Sequence, residues 1–191
     1  MDTYRREIKP LIDKVVELSD ADLSLLLTCV TTRQVKKGDV LLKEGEIASG
    51  FFLVRSGYLR TWYNKDGVAI NLHFTFEGEY TSNIKSFRDR IPSESIIEAG
   101  EDGEVWVFNL RSTFSDLKQM PTIGRFVRRV ALDYLLAVEA HNEQFKISTA
   151  AERYRYIEEH QPHLLQRIPL TQLASYLGVT RETLSRIRGR H

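Results

Sequence analysis

The chain has 191 residues, of which 42% are apolar and 28% charged, with a net charge of +1. These are the proportions of a globular protein with one large or two small domains, and they exclude a largely disordered chain. No apolar run approaches the ~20 residues needed to cross a bilayer. The first residues carry no apolar stretch of the signal-peptide kind. The single cysteine, Cys29, excludes an internal disulfide and any multi-thiolate metal cluster within one chain. No membrane partner is expected, and the cytoplasm is the expected compartment.

The chain opens with a helical pattern. Ile8, Leu11, Ile12, Val15, Val16 and Leu18 recur at three- and four-residue spacing, and Pro10 is expected in the first turn, where its missing N–H costs nothing. Ser19-Asp20 offers the cap of a second short helix over Leu23, Leu25, Leu26 and Leu27. Near Val35 the texture changes. Short β-branched and aromatic runs (Val40–Leu42, Phe51–Val54, Tyr58–Tyr63, Val68–Phe76, Ser95–Glu98, Val105–Phe108) are separated by eight of the eleven glycines. Asn64-Lys65-Asp66-Gly67 is a hairpin signal, because glycine tolerates the positive φ of a tight turn. Many short strands with regular turns predict a sandwich or jelly-roll barrel.

From Pro121 the period returns to that of a helix. Ile123, Phe126, Val127, Val130, Ala131, Tyr134, Leu135 and Val138 form one stripe on a helix of about 25 residues, ~37 Å long. Such a stripe exceeds what one barrel can cover. Part of it is expected to meet its copy in a second chain. Thr149-Ala150-Ala151-Glu152 has the form of a capping box, so a further helix is expected from about Ala150 to Glu159. The division expected is a sensor barrel over 1–120, a dimerisation helix over 121–147 and a third unit over 148–191.

The last 27 residues carry Arg167, Arg181, Arg186, Arg188 and Arg190 against Glu182 alone, while the rest of the chain is mildly acidic. A local anionic partner and a solvated tail both fit that asymmetry. The order of residues is more specific. Thr171 can cap a short helix with Leu173, Ala174 and Leu177 on its inner face. Gly178 can end it in the left-handed conformation, Val179 fills the corner, and Thr180 caps a second helix tied back by Leu184 and Ile187. A helix, a glycine turn and a helix in about 20 residues form a helix-turn-helix. Its second helix exposes Arg181, Glu182, Thr183, Ser185, Arg186 and Arg188. Arginine can bond guanine O6 and N7 together, and glutamate can accept from cytosine N4.

The segment Gly178-Val179-Thr180-Arg181-Glu182-Thr183-Leu184-Ser185-Arg186-Ile187 resembles the recognition helix of the Crp/Fnr superfamily of transcription regulators. Lys37 to Glu46 and Phe51 to Arg60 are similar to the start of that family's cyclic-nucleotide-binding-like barrel. The resemblance implies an α+β protein: a jelly-roll (double-stranded β-helix) barrel, a long dimerisation helix and a C-terminal helix-turn-helix with a truncated wing. It implies a homodimer on double-stranded, two-fold symmetric DNA, RNA polymerase as a further partner, and base contacts from Arg181, Glu182 and Arg186. Thr171, Thr180, Thr183, Ser185 and Arg188 complete the expected DNA face.

In the family, a Gly-Glu pair meets the ribose and a later Arg-Ser meets the cyclic phosphate. The resemblance places Gly78-Glu79 at the first pair and Ser93-Glu94 at the second, beside Ser95. A phosphate needs positive charge or several N–H donors. Cyclic nucleotides are therefore expected to bind weakly or not at all; the pocket is either empty or takes a different small molecule, and a hydroxyl-bearing or cationic one suits Glu79, Ser93 and Ser95 better than an anion. No cofactor and no metal is expected. No G-x-G-x-x-G, P-loop or G-x-S-x-G motif points to an enzyme. His160 and His163 straddle Pro162 and make no helical ligand pair, Cys29 is expected in the core, and His73 is a lone strand histidine. The rival reading is a small-molecule sensor module that does not read DNA.

Overall fold

The computed structural model describes residues 2–113, 120–147 and 149–189. Ser148, Arg190 and His191, which belong to the expected third unit, lie outside the described residues. Two helices open the chain, α1 (Asp2–Asp13) and α2 (Asp20–Leu27). The Ser19 hydroxyl caps α2 by accepting the Asp22 N–H at 3.1 Å. Pro10 is not in the first turn of α1, as the sequence suggested, but inside the helix toward its C-terminal end. A proline there costs about 3 kcal/mol of helix stability. Complete burial of Ile8 and Ile12, one turn apart, works against that cost.

Eight strands follow: β1 (Val30–Val35), β2 (Val40–Leu42), β3 (Phe51–Ser56), β4 (Leu59–Lys65), β5 (Val68–Thr75), β6 (Tyr80–Thr81), β7 (Ile96–Ala99) and β8 (Gly103–Phe108). They form two antiparallel sheets, one ordered β1-β8-β3-β6 and the other β2-β7-β4-β5. Side chains from both sheets, among them Leu53, Leu59, Ile97, Trp106 and Phe108, share one core. The β4–β5 hairpin turns as its sequence signal requires. Lys65 pairs with Val68, and Asp66 and Gly67 both hold positive φ, 53° and 85°. Strands β1 and β6 had no sequence signal. Only Val30 and Val35 of β1 are buried, and its polar interior is held by pairing with β8 along its length.

Helices α3 (Ile84–Asp89) and α4 (Leu110–Thr113) are short, and α5 (Pro121–Ile147) is the long one expected. Ile123, Phe126 and Val130 of α5 are buried in the core that the sheets share with α1 and α2. The Phe126 ring lies 5.8 Å from both Tyr80 and Phe108. Val127, Tyr134 and Val138 are half-buried. The uncovered apolar residues are Leu132, Leu135 and Leu136, exposed by 46%, 58% and 52%. Of the expected stripe, Leu135 is thus the residue left open. Leu132 and Leu136, at helical spacing beside it, complete the outward face.

The C-terminal helices are α6 (Ala150–His160), α7 (Pro162–Arg167), α8 (Leu170–Tyr176) and α9 (Arg181–Arg188). The capping box forms at the start of α6: Thr149 N–H donates to Glu152 Oε2 at 2.6 Å, and Glu152 N–H to Thr149 Oγ1 at 3.3 Å. Helix α7 was not foreseen, because Pro162 reads as a stop; it occupies the first turn of α7, where it starts a helix. Tyr154, Ile157, Leu164, Leu173 and Leu184 pack in one cluster with Tyr58, Phe74 and Phe76 of the β unit. The C-terminal helices therefore share a core with the sheets. Phe126 joins α5 to the β core, so Phe126→Ala should destabilise the protein by about 3–5 kcal/mol. Urea denaturation checks this; a loss under about 1 kcal/mol would mean that α5 is held elsewhere.

Candidate functional site

Helix α8 ends in a Schellman turn. Val179 N–H donates to Ala174 O at 3.0 Å and Gly178 N–H to Ser175 O at 3.1 Å, with Gly178 at φ +68°. The chain then re-enters a helix at Thr180, whose hydroxyl accepts the Thr183 N–H at 3.2 Å. Leu173, Ala174, Leu177 and Leu184 are buried in one cluster that ties the two helices together and to the β unit. Thr171 does not cap α8, contrary to expectation. The cap position is Pro169 and Thr171 lies in the first turn, because Leu170 begins the helix.

Arg181, Glu182, Ser185, Arg186 and Arg188 are exposed on α9, and Thr171 and Thr180 are exposed beside them. Thr183 is half-buried and accepts from Arg186 Nη2 at 3.2 Å. The Glu182 carboxyl lies below its ordinary range, held first by its own backbone N–H and then by the Thr180 hydroxyl. All eight residues of the expected DNA face are thus gathered on α8, the turn and α9. Thr171, Thr180, Arg181 and Thr183 line an open groove facing Gly67 to Asn71 of the β4–β5 hairpin.

Beside this shared apolar core, two sets of polar contacts among the described residues hold the helix pair to the β unit. β5 is an edge strand, with backbone groups that no neighbouring strand pairs. The Ser175 hydroxyl accepts the Asn71 N–H and donates to Ala69 O, both at 3.0 Å. Asn71 Nδ2 donates to Gln172 O at 3.3 Å. The second set centres on Arg167, at the end of α7. It pairs with Glu77 at 2.8 Å and with Glu101, and lies over the Phe76 ring at 5.0 Å. The Arg167 side chain holds the Glu77 carboxyl below its ordinary value.

The expected effector residues do not converge. Gly78 and Glu79 form the turn between β5 and β6, where Gly78 N–H donates to Val54 O and Glu79 Oε2 accepts the Phe76 N–H at 2.8 Å. Glu79 lines clefts on the α5 side. Ser93, Glu94 and Ser95 stand at another place, where Glu94 and Ser95 line a cleft of about 350 Å³ with Tyr63, Leu72 and Asn83, and Ser93 is buried beside it. The polar side chain facing the serines is Asn83. Its Nδ2 donates to Ser93 Oγ at 2.8 Å and Ser95 Oγ at 3.1 Å, while its Oδ1 caps α3 by accepting the Ser86 N–H at 2.9 Å. The sequence reading missed Asn83. Its signal was that of a helix cap, asparagine three residues before Ser86. Glu94 is exposed and lies 3.4 Å from Lys85, and Arg88 pairs with Asp89 at 2.7 Å.

The remaining singled-out residues fall where the sequence placed them. Cys29 is buried, and burial pushes its thiol up to about 12. His160 and His163 are exposed. Among the described residues, no group of three or more His, Cys, Asp or Glu could hold a metal ion, and no helix is long and apolar enough to cross a membrane.

Residues 32–119 match the cyclic nucleotide-binding domain family. A regulatory subunit of cAMP-dependent protein kinase from Candida albicans is 30% identical over 88 residues, a stretch that covers 46% of this chain and 18% of the fungal protein. Three solved structures resemble nearly the whole chain. A protein of Eubacterium rectale assigned to the Crp/Fnr family of transcriptional regulators superposes with a TM-score of 0.69 at 23% identity, covering 93% of this chain and 84% of that one. FixK2 of Bradyrhizobium japonicum gives 0.68 at 21% identity, covering 84% and 83%. CLP of Xanthomonas campestris, described as a c-di-GMP-responsive global regulator, gives 0.65 at 16%, covering 90% and 91%.

The lowered Glu77 value sets a pH dependence for the Arg167 clamp. Its contribution is fully present above 4.5, the ordinary value, and is lost as pH falls through the lowered folded value. Thermal melting of wild type and Arg167→Met should differ at neutral pH and converge in acid below that window. A gap that persists unchanged in acid would assign the effect of Arg167 to its packing on Phe76 instead.

Proposed function

We propose that this chain, a cyclic nucleotide-binding domain on the fold of the Crp/Fnr transcription regulators, is itself a regulator that binds two-fold symmetric DNA as a homodimer. The observation that carries the proposal is α9: a capped helix, set by a tight glycine turn against α8, with Arg181, Glu182 and Arg186 exposed along it. A helix so mounted can enter a major groove, with its first residues on base edges. The division is a jelly-roll sensor over 1–120, a dimerisation helix over 121–147 and a helix-turn-helix unit over 148–191. Leu132, Leu135 and Leu136 supply the seam between protomers, an apolar face that the β unit leaves open.

The barrel takes an effector other than a cyclic nucleotide. Where a cyclic phosphate would sit, Asn83, Ser93 and Ser95 hydrogen-bond to one another, and the charged side chain lining the cleft is the carboxylate of Glu94. An anion there meets repulsion and displaces satisfied hydrogen bonds.

Two measurements test the reading. Arg181→Ala and Arg186→Ala should each weaken specific DNA binding by about 1–3 kcal/mol, more than the loss of one positive charge weakens non-specific binding. Fluorescence anisotropy on an operator selected from a random duplex pool decides this. Unchanged specific affinity in both variants removes the base-reading role and leaves a sensor module. Calorimetric titration with cyclic AMP and cyclic GMP should show no micromolar binding. A micromolar dissociation constant for either would mean that backbone amides supply what the side chains lack.

A further inference from the structure

A cleft of about 340 Å³ opens where β5, α5 and the C-terminal helices meet, apart from the Asn83–Ser93–Ser95 cluster. Its walls are rich in rings. Phe74 meets Tyr176 edge-on at 5.2 Å, His141 stacks on Tyr176 at 4.1 Å, and Phe76 meets His163 edge-on at 4.6 Å. His73 also lines it, and its Nδ1 is buried with no hydrogen-bond partner among the described residues. Glu79, Arg153 and Gln161 complete the polar lining. An acceptor-only carboxylate, a donor-only guanidinium and an amide that does both therefore stand beside stacked aromatic surface.

We propose that this cleft binds a small planar heteroaromatic molecule bearing a lactam edge, an N–H next to a C=O. Ring walls select a flat partner through stacking and edge contacts. The mixed polar lining selects a partner that donates and accepts at neighbouring atoms. A strongly anionic occupant meets the carboxylate of Glu79 and a strongly cationic one the guanidinium of Arg153, so the lining favours a neutral polar partner. Burial lowers His73 and His141 to about 4, so both rings are neutral at physiological pH and present aromatic surface rather than charge. The volume lies at the low end of ligand clefts, which run from about 300 to 1,000 Å³, and suits a bicyclic molecule better than a nucleotide.

The location gives the site a regulatory consequence, which alone rests on the DNA-binding reading. One occupant touches β5, α5, α6 and α8 together, and α8 carries α9. A ligand that favours one placement of these helices changes DNA affinity, and DNA changes the ligand's affinity by the same factor.

The test is calorimetric titration of the full chain, without DNA, using 2-quinolone as a bicyclic lactam and 1-methyl-2-quinolone as its donor-free analogue. Saturable binding of 2-quinolone is expected, at least about tenfold weaker for the methylated analogue and for Ala140→Leu, which narrows the cleft. Ala140 is exposed on a helix, so this variant should melt as the wild type does. Absence of saturable 2-quinolone binding overturns the proposal, as does equal binding of the two quinolones or undiminished binding to a folded Ala140→Leu. None of these outcomes depends on DNA binding.

Discussion

An edge strand cannot leave its backbone groups buried and unpaired, and the way β5 resolves that constraint organises the C-terminal half of this molecule. The Ser175 hydroxyl takes the Asn71 N–H and gives its own proton to Ala69 O, doing for two residues what another strand would do for several. A hydroxyl both donates and accepts, which is why serine can bridge alternate groups of a strand edge. The contact seats α8 on the sheet. The Schellman turn at Gly178 then sets the direction of α9, and the Thr180 cap sets its first residue. The orientation of Arg181 and Arg186 is thus inherited, through two short turns, from a strand edge in the β unit.

The long helix connects the two halves by a different kind of contact. Tyr80, Phe108 and Phe126 form a ring cluster that pins the first part of α5 to the sheets. Farther along, His73 of β5 meets Tyr134 edge-on at 5.5 Å, and His141 stacks on Tyr176 of α8. One helix therefore touches the sheet core, the strand that seats α8, and α8 itself, and leaves an apolar face of Leu132, Leu135 and Leu136 uncovered. A change at any of these contacts has a short physical route to the others, because close-packed interiors transmit displacement.

Much of this was legible in the sequence where local chemistry decides structure. The Asp66-Gly67 turn, the Thr149–Glu152 capping box, the Ser19 cap and the Gly178–Thr180 turn each need particular residues, so the residues reveal them. Strand β1 did not show itself because β8 holds its polar middle in place, and a partner is invisible to periodicity. Helix α7 was hidden because Pro162 stops one helix and starts the next with equal ease. The site was harder to read than the fold. Gly78-Glu79 is a turn whose carboxylate serves its own backbone. Asn83, whose letter suggests a cap and no more, is the residue that bridges to Ser93 and Ser95. Which polar residue reaches which is a property of the folded sheets, and spacing along the chain does not contain it.

The central claim is that two copies of α9, set by this chain of contacts and paired through α5, read DNA together. Selection of bound duplexes from a random pool, followed by footprinting of the enriched sequence and light scattering of the complex, tests it most directly. The account predicts a two-fold symmetric site whose half-sites lie about one helical turn apart, ~34–36 Å, occupied by a dimer. Enrichment of a single asymmetric half-site bound by one protomer, or no enrichment at all, would contradict it.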